Sequence, residues 1–108
     1  MLIVSDTSAL SVLAETALLP LLPALFRQIV ITESVHRECR DVGAPSELRA
    51  WIENPPDWLT IVPDPANLLP EVSSLDDGEA ASVTLAWEHR PGSHLILDEK
   101  RGRRIAKA

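Results

Sequence analysis

Four carboxylates stand in separate segments of the chain, three of them where the local sequence predicts one element giving way to the next. Asp6 follows Leu2-Ile3-Val4, Glu38 lies within a helical stretch, Glu79 comes three residues after Asp76, and Asp98 follows Leu95-Ile96-Leu97. Clustered carboxylates repel one another unless a cation is present, and hard oxygen donors suit Mg²⁺ or Mn²⁺. Ions held in this way polarise a phosphodiester, activate a water as nucleophile and stabilise the leaving oxygen. If the fold gathers these acids, hydrolysis of nucleic-acid phosphodiesters is the chemistry they predict.

The elements that would position them can be read from periodicity and punctuation. Leu2-Ile3-Val4 predicts a buried strand, and Ser5-Asp6-Thr7-Ser8 supplies capping residues for a helix. That helix has Ala9, Leu10, Leu13, Ala14, Ala17 and Leu18 at helical spacing and is expected to end near Pro20. Pro23 punctuates a second short helical piece through Leu25 and Phe26. Gln28-Ile29-Val30-Ile31 predicts a second strand, with Thr32 capping a helix from Glu33 to Asp41. Val35, Glu38, Cys39 and Val42 form one stripe of it. Gly43-Ala44-Pro45-Ser46 leads into a short helix through Leu48, Trp51 and Ile52.

Residues 54–70 hold five prolines around Trp58-Leu59-Thr60-Ile61-Val62, which predicts a loop with one edge strand. Leu75-Asp76-Asp77-Gly78-Glu79 opens a helix to about His89, with Ala80, Val83, Ala86 and Trp87 as its apolar positions. Pro91-Gly92 then turns the chain into His94-Leu95-Ile96-Leu97, a buried strand by composition, and a basic helix follows Asp98. Apolar strands alternating with helices imply a single α/β domain over 1–108 with a parallel sheet. In such open sheets ligands bind outside the carboxyl ends of the strands, where Asp6 and Asp98 are expected.

Each acid also has a plainer role. Asp6 and Asp98 can serve only as helix caps or turn residues. Glu38 lies on the stripe that meets the sheet, where an uncompensated carboxylate would cost several kcal/mol, so a salt bridge to an arginine could satisfy it. Glu79 and Asp76 have the spacing of a capping box. What favours chemistry is the constellation, four acids from separate segments predicted at one edge.

The charge of −6 is uneven. Residues 99–108 carry Lys100, Arg101, Arg103, Arg104 and Lys107 against Glu99, which leaves an acidic body ending in a basic helix. Arg101, Arg103 and Arg104 could contact RNA phosphates, or simply form a solvated helix favoured by its dipole. Cys39 is the only cysteine, so no internal disulfide forms; it reads as a small core residue and fits a cytoplasmic protein. His36, His89 and His94 are too irregularly spaced for a zinc motif. Trp51, Trp58 and Trp87 read as core or loop anchors. No run is long and apolar enough to predict a membrane span, because Asp6, Glu15 and Arg27 interrupt the first third.

Four segments, in this order, resemble the PIN-domain family, and within it the bacterial and archaeal branch with toxin-like members of the VapC type. They are Ile3-Val4-Ser5-Asp6-Thr7-Ser8-Ala9-Leu10, Ile31-Thr32-Glu33-Ser34-Val35-His36-Arg37-Glu38, Leu75-Asp76-Asp77-Gly78-Glu79-Ala80, and Leu95 through Ala106. The resemblance implies a three-layer α/β/α sandwich with a mainly parallel sheet and a Mg²⁺- or Mn²⁺-dependent ribonuclease. It assigns Asp6, Glu38, Glu79 and Asp98 as both catalytic and metal-binding, and Thr7 or Ser8 as a hydroxyl supporting the first acid. Asp76 and Asp77 are neighbouring alternatives.

The resemblance further implies an RNA substrate, an antitoxin protein as partner and a homodimer. Leu18, Leu19, Leu21 and Leu22 are read as a dimer or partner surface, since such patches rarely face water, with filling of the core as the alternative. Members of this branch continue past the basic helix with another strand and helix, so the chain is expected to lack these. A catalytically silent PIN-like module that binds RNA or protein is the alternative. A phosphatase of the haloacid-dehalogenase type would want a second Asp two residues after Asp6, and Ser8 occupies that place.

Overall fold

The computed structural model describes residues 2–96. Four strands, β1 (Leu2–Ser5), β2 (Ile29–Thr32), β3 (Leu59–Val62) and β4 (Ser93–Ile96), form one sheet in the order β3-β2-β1-β4 with every pairing parallel. The helices are α1 (Thr7–Glu15), α2 (Leu22–Leu25), α3 (Glu33–Arg40), α4 (Ser46–Glu53) and α5 (Asp77–Glu88), with short 3-10 turns at Leu19–Leu21 and Pro70–Val72. This is the expected α/β sandwich.

Strand alternation divides the core between the two faces of the sheet. Ile3, Ile29, Ile31 and Leu59 pack with Leu10 and Ala14 of α1, Val35 and Cys39 of α3, and Leu48 and Ile52 of α4. A smaller cluster on the other side joins Ala80 and Val83 of α5 to Val72 and Leu95. β1 is the central strand of the chemistry as well as of the packing. Ile3, Val4 and Ser5 are all buried, as a strand flanked by neighbours and covered on both faces must be.

The strand order matters for function. From β1 the chain steps outward through β2 to β3, and α5 then carries it back across to the other side of β1. Connections therefore part at the carboxyl end of β1, leaving the crevice where open α/β sheets place their ligands. Asp6 is the first residue after β1, and its N–H donates to the carbonyl of Ile96 at the end of β4.

Several expectations are corrected. α1 ends at Glu15 rather than near Pro20, because Ala17 turns left-handed at φ 60° and the N–H groups of Ala17 and Leu18 close on the carbonyls of Ala14 and Leu13. That is the Schellman closure of a helix end, with alanine where glycine usually stands. α3 stops at Arg40, since Asp41 is extended, and Val42 is thrown into solvent at 85% exposure instead of joining the inward stripe. β4 is only half-buried. Trp87 is exposed, because eight positions at 100° each leave it about 80° off the face of Glu79; the Arg90 guanidinium covers its ring at 3.6 Å. Of the four leucines, Leu19 and Leu22 fill the core, whereas Leu18, Leu21 and also Leu25 are exposed.

Candidate metal centre

Asp6 is 1% exposed, and its Oδ1 accepts from the Ala9 N–H at 2.8 Å, capping α1. The plain capping role and the edge position thus coexist in one residue. Asp76 caps α5 in the same way, accepting from the Glu79 N–H at 2.9 Å. Asp77 is exposed at the first position of α5.

Glu79 lies in the first turn of α5 and is 3% exposed. The first two turns of this helix, Gly78 to Leu85, are buried all round. Small side chains at Ala80, Ala81 and Ser82 allow that, because they let the helix sit close to both the sheet and α3.

Glu38 joins the other two acids through their chain neighbours. Its Oε1 accepts the Thr7 hydroxyl at 2.6 Å, and its Oε2 accepts the Gly78 N–H at 2.8 Å. Thr7 follows Asp6 and Gly78 precedes Glu79, so one carboxylate on α3 is fastened to the start of α1 and the start of α5. The compensation expected from an arginine comes from these two donors. A threonine hydroxyl has one proton to give. Thr7 spends it on Glu38, so it serves the second acid and not the first as expected. Ser8, the other candidate, is partly buried in α1.

Electrostatics favour anions at this edge. Asp6 and Glu79 stand at the starts of α1 and α5, and the Glu38 carboxylate, carried on the last turn of α3, reaches the start of α5 at the Gly78 N–H; unpaired N–H groups and dipoles at helix N-termini attract negative charge. The adjoining Cys39 thiol responds the other way. Burial, and secondarily the Glu38 charge, push it from its ordinary 9.0 up to about 12, so it is protonated and no nucleophile.

Asp98 and the basic residues Arg101, Arg103 and Arg104 lie outside the described residues. Among the described residues, no group of three histidine, cysteine or carboxylate side chains could by itself hold a metal ion. The carboxylate oxygens of Asp6, Glu38 and Glu79 are hard donors of the kind that suits Mg²⁺ or Mn²⁺. Two surface depressions of about 350 Å³ lie along α3 and α4, lined by Arg40, Arg49 and Glu53 and by Glu33, His36 and Arg37. Neither is lined by these acids. Among the described residues no single helix is long and apolar enough to cross a membrane.

Two residues at this edge were missed in the sequence. Gly78 had a signal, since glycine is disfavoured inside a helix and its presence asks for a reason. Asp64, between Pro63 and Pro65, had none; it binds the start of α3 through Ser34.

No curated protein and no solved structure matches the chain. A family model described as DUF3368, PIN domain, matches residues 2–108, nearly the whole sequence. The chain belongs to the PIN-domain family.

Proposed function

We propose that this protein is a metal-dependent endoribonuclease in which Asp6, Glu38, Glu79 and Asp98 hold Mg²⁺ or Mn²⁺. PIN domains are generally nucleases. The observation that carries the reading for this chain is the linkage of Asp6-Thr7 to Gly78-Glu79 through the Glu38 carboxylate, at the carboxyl end of the central strand.

The protein's own residues do the positioning. Asp6 is rigid because it caps α1 while its backbone is tied to β4. Glu38 is fixed by a donor on each oxygen. Burial of Asp6 and Glu79 lowers the local dielectric response, which strengthens their attraction for a cation. A bound Mg²⁺ or Mn²⁺ would polarise the phosphodiester and activate the attacking water. Arg101, Arg103 and Arg104 are suited to hold RNA phosphates. The single domain, a VapC-type toxin role, an antitoxin partner, a homodimer and a cytoplasmic site complete the reading. Exposed Leu18, Leu21 and Leu25 support a partner surface.

The test is calorimetric titration of Mn²⁺ into the wild type and Asp6→Asn, followed by single-stranded RNA with and without a chelator. Asparagine caps about as well as aspartate, so the variant keeps the helix start while losing the charge. Metal binding and chelator-sensitive cleavage by the wild type, both weakened in the variant, are expected. A folded wild type that neither binds metal nor cuts RNA would leave the silent binding module.

A further inference from the structure

We propose that Thr7 and Gly78 are positioning residues that form a seat for Glu38, fixing its carboxylate before any cation arrives, and that position 78 is glycine for this reason. The proposal rests on the metal-site reading above and adds residues that touch neither metal nor substrate.

Gly78 does not adopt a left-handed conformation, so backbone freedom is not what position 78 requires. Space is. A Cβ built there would lie 2.3 Å from Glu38 Oε1, 2.7 Å from its Cδ and 2.8 Å from Oε2, inside any permissible contact. The obstructing atoms are the end of a flexible side chain and not backbone. A larger residue would therefore displace the carboxylate and leave the fold standing.

The seat is complete on both oxygens. Thr7 Oγ1 holds Oε1 from α1, and the Gly78 N–H holds Oε2 from the first turn of α5, forty residues away in sequence. With both donors in place, Glu38 loses its rotamer freedom without metal, and a cation meets an ordered ligand. Because Gly78 adjoins Glu79 and Thr7 adjoins Asp6, the same contacts also set the spacing between the three acids. Outer groups that orient ligands typically change metal affinity by about tenfold to a hundredfold.

Two measurements on the full chain decide this. In the first, melting temperatures of the metal-free wild type, Gly78→Ala, Glu38→Ala and the double variant form a cycle. Gly78→Ala is expected to lower the melting temperature when Glu38 is present and to raise it when Glu38→Ala has cleared the space, since alanine then fits and favours helix. Equal effects in both backgrounds would overturn the seat.

In the second, Mn²⁺ is titrated into each folded variant at a temperature well below melting. Gly78→Ala and Thr7→Val are expected to bind about tenfold or more weakly, with Thr7→Ser, which keeps the hydroxyl, close to the wild type. Wild-type affinity in Gly78→Ala and Thr7→Val would reduce the seat to a packing contact and sink the proposal. If the wild type itself bound no Mn²⁺, the metal reading would fall first, taking the positioning role with it.

Discussion

Ser34 gives both its backbone N–H and its hydroxyl to the carboxylate of Asp64, thirty residues further along the chain. Arg37 closes the group, donating to Ser34 Oγ at 2.9 Å and standing 3.9 Å from the Asp64 carboxylate. Glu38 lies one helical turn beyond Ser34. The loop after β3 thus holds the start of the helix that delivers an acid to the other end of the site.

Asp64→Ala should destabilise the protein by about 1–3 kcal/mol, because it leaves the Ser34 donors without their acceptor. Most of this comes from Ser34, as the Arg37 ion pair is exposed and contributes little. Urea unfolding measures it. A loss under about 0.5 kcal/mol would mean that α3 is held by packing and the Thr32 cap alone.

Asp76 and Glu79 should separate by role. Asp76→Ala removes the cap of α5 and is expected to cost about 1 kcal/mol while leaving chelator-sensitive cleavage in place. Glu79→Gln should do the reverse, abolishing cleavage without lowering the melting temperature. The same outcome for both would assign them to one function, and the distinction drawn from their positions would fail.

Ala17→Gly is expected to stabilise the chain by about 0.5–1 kcal/mol, since φ 60° strains alanine and suits glycine. The site is distant from the acids, so RNA cleavage should be unchanged. A lower melting temperature in this variant would show that the left-handed end of α1 is not strained.

Alkaline pH should weaken the fold through Cys39. The folded thiol stays protonated to about 12, whereas the unfolded thiol ionises near 9, so the native state binds more protons between those values. Stability is therefore full below about pH 9 and declines above it. Cys39→Ala should flatten that decline in denaturation curves collected from pH 8 to 11. His36 acts at the acid end. Burial, and then Arg40, lower its pKa against the opposing pull of Glu33, so protonation below its ordinary 6.5 favours the unfolded chain.

Local signals carried much of the fold and the elements on which Asp6, Glu38 and Glu79 stand. Apolar runs marked β1, β2 and β4, and Ser, Thr and Asp before helical periodicity marked the starts of α1, α3 and α5, because strand burial and capping are decided within a few residues. Even the parallel sheet followed from that alternation. The joins were not legible. Whether Thr7 serves Asp6 or Glu38, and why position 78 is glycine, depends on segments that meet only when α3 and α5 pack together. Asp64 was hidden for the same reason. Val42 and Trp87 went astray on smaller matters, an early helix end and the accumulated drift of helical phase.

The bond from the Asp6 N–H to the Ile96 carbonyl has a bearing on synthesis. Of the four strands β1 is made first, yet one of its two neighbours is β4, the last of the four. Until β4 emerges, one edge of β1 stands open, and only long-range pairing can close it. A nascent chain interrupted before β4 would hold Asp6 without the strand that flanks it, so among the described elements the acidic edge is completed last.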